Sequence, residues 1–203
     1  MTARSAVDAR APIFYYDLGS PECYLVAERV SAVLPVAPEW EPVLGRWGDG
    51  NHGQDAAVAL PELGPAPDRV EIESLALRRG LQAIRWPVTW PPDSRLAMHG
   101  ASYAKSIGRA TAFSLAAFRQ AFAGGRDLGN ADTVVIAAAA CEMHPAAVLK
   151  AVGLGSVASA LSQATDRAVH TGVRHLPAVV VGDRVFEGDS GLEEAAAALL
   201  AMA

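Results

Sequence analysis

Sulfur and primary amines are scarce in this sequence. Among 203 residues there are two cysteines, Cys23 and Cys141, and two lysines, Lys105 and Lys150. Two isolated cysteines make neither a metal-ligand spacing nor a disulfide scaffold, so no metal site is expected. No basic cluster occurs and the net charge is −5, which argues against a nucleic-acid partner. The longest apolar run in the middle of the chain, Val134 to Cys141, is far too short to span a bilayer, and no membrane partner is expected. The opening "MTARSAVDARAP" lacks the apolar stretch of a secretory signal. The expected compartment is therefore the cytoplasm, which disfavours a Cys23–Cys141 disulfide. No internal repeat is visible. What is present is a 51% hydrophobic, 19% charged composition, which suits a globular chain with a sizeable core.

The pattern along the chain has three parts. Ile13 to Asp17 reads as a buried strand of β-branched and aromatic residues. A helix follows, with Ser20 as N-cap, Pro21 at the first helical position and Glu22 in the first turn. Cys23, Val26, Ala27, Val30 and Leu34 form its buried stripe, and Pro35 stops it. Trp40 to Leu44 is a second strand, placed at an edge by Pro42. Residues 45–66 read as a long loop. From Asp68 to about Thr171 the pattern is mostly helical. Ser94, Asn130 or Asp132, and Ser156 are the expected caps, Pro145 opens a short helix, and Gly108 separates or interrupts two more. Then "LPAVVVGDRVFEG" gives a hairpin and "DSGLEEAAAALLAMA" a closing helix. The order is β-α-β, a helical block, β-β-α.

That order is the expected fold class: α/β, a thioredoxin fold with a large all-helical insertion. Residues 1–66 and 172–203 would form the thioredoxin-like domain and 67–171 the insertion. "DLGSPECYL" resembles the Asp-aromatic-x-Cys-Pro-x-Cys-Tyr-Leu signature of the DsbA family. "GVRHLPAVVVGDRVFEG" resembles that family's Gly-Val-x-x-Pro segment, in which a cis proline precedes the third strand. "RWPVTWPPDSRLAMHGASYA" and "FRQAFAGGRDLGNADTVVIAAAA" are similar to the helical insertion of kappa-class glutathione transferases and 2-hydroxychromene-2-carboxylate isomerases. Those relatives carry serine at the first active-site position, as this chain does at Ser20.

The resemblance implies a site. Ser20 cannot form a thiolate, but its hydroxyl can donate to a sulfur anion brought in by a cofactor, at a helix N-terminus that favours negative charge. The implied cofactor is glutathione or another low-molecular-weight thiol. Leu176 would pair with its peptide portion, Pro177 would be cis and face Ser20, and Asp189 and Ser190 would hold its polar end. The acid stands one place early in "EGDSGLEE" and Gly191 replaces the relatives' arginine. Asn51, in "GDGNHG", and Trp90 match substrate-pocket positions, and His175 earns attention by its distance of two residues from Pro177.

The expected activity is a thiol-cofactor-dependent isomerase or transferase acting on a small aromatic or electrophilic substrate, with a homodimer expected by analogy. Two alternatives stand beside it. One is a monothiol DsbA-like oxidoreductase using Cys23, although the buried stripe and Glu22 both work against a thiolate there. The other is a degenerate, non-catalytic binding domain with Ser20 as a helix cap alone.

Overall fold

The computed structural model describes residues 11–48 and 60–202. Among these residues four strands form one sheet in the order β2-β1-β3-β4. β1 (Ile13–Tyr16) lies centrally, parallel to β2 (Glu39–Pro42) and antiparallel to β3 (Ala178–Val181), and β4 (Arg184–Glu187) closes the far edge antiparallel to β3. Between β1 and β2 runs α1 (Pro21–Val33), and α8 (Gly191–Ala201) ends the chain. Both faces of β1 are covered, which is why its sequence is continuously apolar instead of alternating.

Among the described residues, six helices lie between β2 and β3: α2 (Arg69–Arg78), α3 (Arg95–Ser106), α4 (Ala110–Phe122), α5 (Ala131–Ala140), α6 (Pro145–Val152) and α7 (Gly155–Thr171). One hydrophobic cluster runs through these helices and the sheet. Its seam is aromatic. Phe14 and Trp40 meet edge-on at 5.0 Å, Tyr16 lies 5.9 Å from Phe118 of α4, and Tyr24 of α1 stacks on Phe122 at 5.6 Å. The buried Tyr16 hydroxyl shares a 2.6 Å hydrogen bond with Ser114, so the polar atom is satisfied where it is desolvated. Among the described residues no single helix is long and apolar enough to cross a membrane.

Two capping expectations change. Ser94 stands at the head of α3 but makes no cap bond; its hydroxyl is drawn to Asp17, a buried carboxylate and a stronger acceptor. α7 begins at Gly155, one residue ahead of Ser156, with Leu154 as its cap residue. Gly108 separates α3 from α4 with φ at +73°, a conformation that strains other residues.

Gly100 of α3 packs against Phe113 of α4. A Cβ there would meet Phe113 Cζ at 2.7 Å, and Phe113 is fully buried and cannot yield. Gly100→Ala is expected to lower stability by about 1–3 kcal/mol in urea unfolding, with the helical content of the native state unchanged.

Candidate functional site

The first turn of α1 is closed on itself. Ser20, in extended conformation at the N-cap, accepts from the Cys23 N–H through Oγ at 3.2 Å. The same hydroxyl donates to Glu22 Oε2 at 3.0 Å. Pro21 has no N–H to satisfy, and the Glu22 N–H turns toward its own carboxylate. The Glu22 carboxylate therefore sits as a built-in anion at the helix head. Burial holds its carboxyl above the ordinary carboxylate range, its own N–H and the Ser20 hydroxyl pull the other way, and Glu71 of α2 raises it further.

Asp17 fixes this turn in space and is 1% exposed. Its Oδ1 accepts from Gly19 N at 2.8 Å, its Oδ2 from Gly45 N at 2.9 Å, and the Ser94 hydroxyl completes the set. Burial nevertheless holds the Asp17 carboxyl above its usual range. Among the described residues no buried side-chain nitrogen or oxygen lacks a partner.

The segment before β3 lies at the same end of the sheet. The ladder ends with Tyr15 opposite Ala178, so the next residues back, Pro177 and Leu176, run beside the end of β1. The Leu176–Pro177 peptide bond is cis. The Leu176 N–H donates to the Glu62 carbonyl at 2.8 Å, and the Glu62 N–H donates to the Arg174 carbonyl at 2.7 Å. On its other side the 61–63 segment pairs with Arg46 through two more backbone bonds. Leu63 is buried between Gly45 and Leu176, so close that a Cβ on Gly45 would meet its Cδ2 at 2.4 Å. His175, exposed, lies 3.7 Å from Glu62 and 3.0 Å from Glu187. Glu187 also accepts from the Arg174 and His175 N–H groups. Burial works against those bonds, yet they leave its carboxyl below its ordinary value.

Asp189 is held within the chain as well. Arg79, which follows α2, binds it through both guanidinium nitrogens at 2.8 and 2.5 Å, and Arg29 of α1 stands at 3.7 Å. Ser190 is exposed and makes no cap bond to α8. Trp90 joins an aromatic group: it lies 5.3 Å from Trp47 and 5.2 Å from Trp86, and the Arg69 guanidinium covers the Trp86 ring at 4.8 Å. All three indoles are half-buried. The segments carrying Trp47 and Trp90 pass Asp17 through Gly45 and Ser94, which sets the indoles near the α1 head. Asn51 lies outside the described residues.

A family model for the DSBA-like thioredoxin domain matches residues 13–200. The chain belongs to that family. Three solved structures share its fold at low identity. A 2-hydroxychromene-2-carboxylate isomerase is 16% identical over 95% of each chain, with a TM-score of 0.75. A probable DsbA oxidoreductase from Streptomyces coelicolor is 18% identical over 96% of this chain and 91% of that one, TM-score 0.69. The cytosolic disulfide reductase DsbM from Pseudomonas aeruginosa, solved with GSH, is 14% identical over 95% and 96%, TM-score 0.57. No curated protein matches the chain.

Within this DSBA-like frame, the expected roles meet three corrections. Cys23 is fully buried, and burial pushes its thiol far above the ordinary cysteine value, with Asp17 and Glu22 adding to the rise; it offers no attacking thiolate. Leu176 does not present a free N–H, because Glu62 takes it. Asp189 does not present a free carboxylate, because Arg79 and Arg29 hold it. Glu22, Glu62 and Arg79 were absent from the expected site. Glu22 carried a signal, an acid two residues after a serine cap, but that pattern reads equally as dipole complement. Glu62 and Arg79 reach partners more than a hundred residues away and leave no local trace.

Two outcomes follow. A thiol reagent should label neither cysteine in native protein and both after unfolding; native labelling of Cys23 would contradict the burial described. Asp17→Asn puts an NH₂ group against a backbone N–H and should cost about 1–3 kcal/mol. The wild-type Asp17 pKa lies above its unfolded value of 3.8. Wild-type stability should therefore fall as pH rises from 3.8 through the folded value, a step that unfolding across pH should find missing in the variant.

Proposed function

We propose that the protein is a thiol-cofactor-dependent isomerase or transferase acting on a small aromatic or electrophilic substrate. The observation that carries this reading is a serine at the N-cap of α1, at the same end of the sheet as the cis Leu176–Pro177 bond, with Ser20 and the neighbouring Cys23 both buried. Opening the Ser20–Glu22 hydrogen bond would free a donor at a helix N-terminus for a sulfur anion, in a site with no accessible sulfur of its own. The likeness in fold to a 2-hydroxychromene-2-carboxylate isomerase supports the reading. So does the half-buried wall of Trp47, Trp86 and Trp90, which suits a flat apolar substrate.

The residues fit the sulfur of a thiol better than the rest of glutathione. Ser20 and the α1 head would hold the sulfur, and the thiol would supply a nucleophile that the chain lacks. The contacts that the peptide and amino groups of glutathione would seek, at Leu176 and Asp189, are already made by Glu62 and Arg79. A low-molecular-weight thiol recognised mainly through its sulfur suits this geometry. A polypeptide does not, since its backbone would have to displace residues 61–63 to pair with Leu176. That same internal pairing favours the second reading, a binding domain without chemistry.

The test is calorimetric titration with glutathione and with 2-mercaptoethanol, on wild type and Ser20→Ala. A hydrogen bond to a charged sulfur is worth about 1.5–3 kcal/mol, so Ser20→Ala should weaken binding at least about tenfold. Glutathione should hold only a modest advantage over 2-mercaptoethanol. Absence of binding by either thiol would overturn the proposal and leave the second reading.

A further inference from the structure

Arg46, Glu62 and His175 stand abreast on three segments paired in parallel, and their side chains meet in a row of alternating charge. Arg46 binds one oxygen of the Glu62 carboxylate, and His175 Nε2 lies 3.7 Å from the other. On the opposite side of the ring, His175 Nδ1 lies 3.0 Å from Glu187 Oε2 of β4. The imidazole is thus held between two carboxylates from different parts of the chain. A neutral imidazole has one N–H. When Nδ1 gives that proton to Glu187, Nε2 turns a lone pair toward Glu62. When Nε2 carries it, a lone pair faces Glu187 at 3.0 Å. Only the imidazolium, with an N–H on each nitrogen, suits both neighbours.

Glu62 belongs to a strap, residues 61–63, that covers the backbone edge ahead of β3. Its carbonyl accepts from the Leu176 N–H, and its N–H donates to the Arg174 carbonyl. We propose that His175 is a proton-operated clamp on this strap. Protonated, it ties Glu62 to Glu187 and holds the strap closed. Neutral, it releases one of the two carboxylates, and the strap opens more often to free the Leu176 N–H and the Arg174 carbonyl. The clamp's contribution is present on the acid side of the histidine range and is lost as pH rises through it. It acts on a contact within the chain and does not rest on the thiol reading.

The surroundings set how far the clamp can act. Leu63 is buried against Gly45 and Leu176, and withdrawing it costs the same at every pH. Arg46 holds Glu62 from the other side with a fixed charge. Arg174, next to His175 in sequence, is exposed, and among the described residues His175 has no further ion pair. The side chains of His175, Glu62 and Glu187 are 56, 39 and 27% exposed. Pairs exposed to that degree shift an equilibrium by up to about fivefold each, so the clamp tunes an opening that Leu63 and the backbone bonds mainly govern.

The test is amide hydrogen exchange followed by NMR on the free protein, from about pH 5.5 to about pH 8, the range in which histidine changes charge. Each rate is divided by that of the unfolded chain at the same pH. The Glu62 and Leu176 amides report the strap, and the amides of the β1–β3 ladder report opening of the whole fold. In wild type, protection at Glu62 and Leu176 relative to the ladder should fall about two- to fivefold as pH rises. In His175→Gln and in Glu62→Gln that ratio should stay flat. Three results would overturn the clamp: a flat ratio in wild type, the same fall in wild type and both variants, or a Leu176 amide that exchanges only with the ladder. The measurement uses no thiol, so its outcome and that of the thiol titration are independent.

Discussion

The buried carboxylate of Asp17 is the constraint on which the candidate site depends. It gathers the Gly19 N–H of the turn into α1, the Gly45 N–H beyond β2, and the Ser94 hydroxyl at the head of α3. Three segments far apart in sequence are thereby tied at one end of the sheet. Loss of Asp17 would leave the buried Gly19 N–H unsatisfied and strip the partly buried Gly45 N–H and Ser94 hydroxyl of this acceptor, and unsatisfied buried groups are costly. The carboxylate is itself held against its preference, since burial raises its pKa despite three hydrogen bonds. Its role in the described structure is to aim Ser20 and the first turn of α1 and to bring in the chain segments that carry the indoles.

Around that anchor the chain makes for itself several contacts that a ligand would otherwise make. Glu62 pairs with Leu176 as an extended backbone would, Arg79 meets Asp189 as a ligand cation would, and Glu22 sits at a helix head as an anion would. Each contact satisfies a polar group that would otherwise be desolvated without a partner. Together they leave the Leu176 N–H without a free edge for an extended peptide and the Asp189 carboxylate already paired.

The fold was readable because its signals are local. Apolar continuity marks Ile13–Tyr16 as a buried strand, Ser20-Pro21 starts α1, Gly108 breaks α3 from α4, and Gly182-Asp183 turns the hairpin. Each depends on backbone conformations and burial periods that neighbouring residues dictate. Ser94 shows where such reasoning stops. Its sequence context is that of a cap, but the stronger acceptor, Asp17, is 77 positions away in sequence and adjacent in space.

The sequence by itself determined the order β-α-β, helices, β-β-α, the presence of serine in place of a first cysteine, and the proline before β3. Those follow from side-chain periodicity and turn chemistry within a few residues. Only the tertiary structure decided that Cys23 is sealed, that Leu176 and Asp189 are already partnered, and that Glu22 takes the Ser20 hydroxyl at the helix head. Exposure, hydrogen-bond partnership and proton affinity are properties of surroundings, and the surroundings of this site come from segments that meet only when the chain is folded.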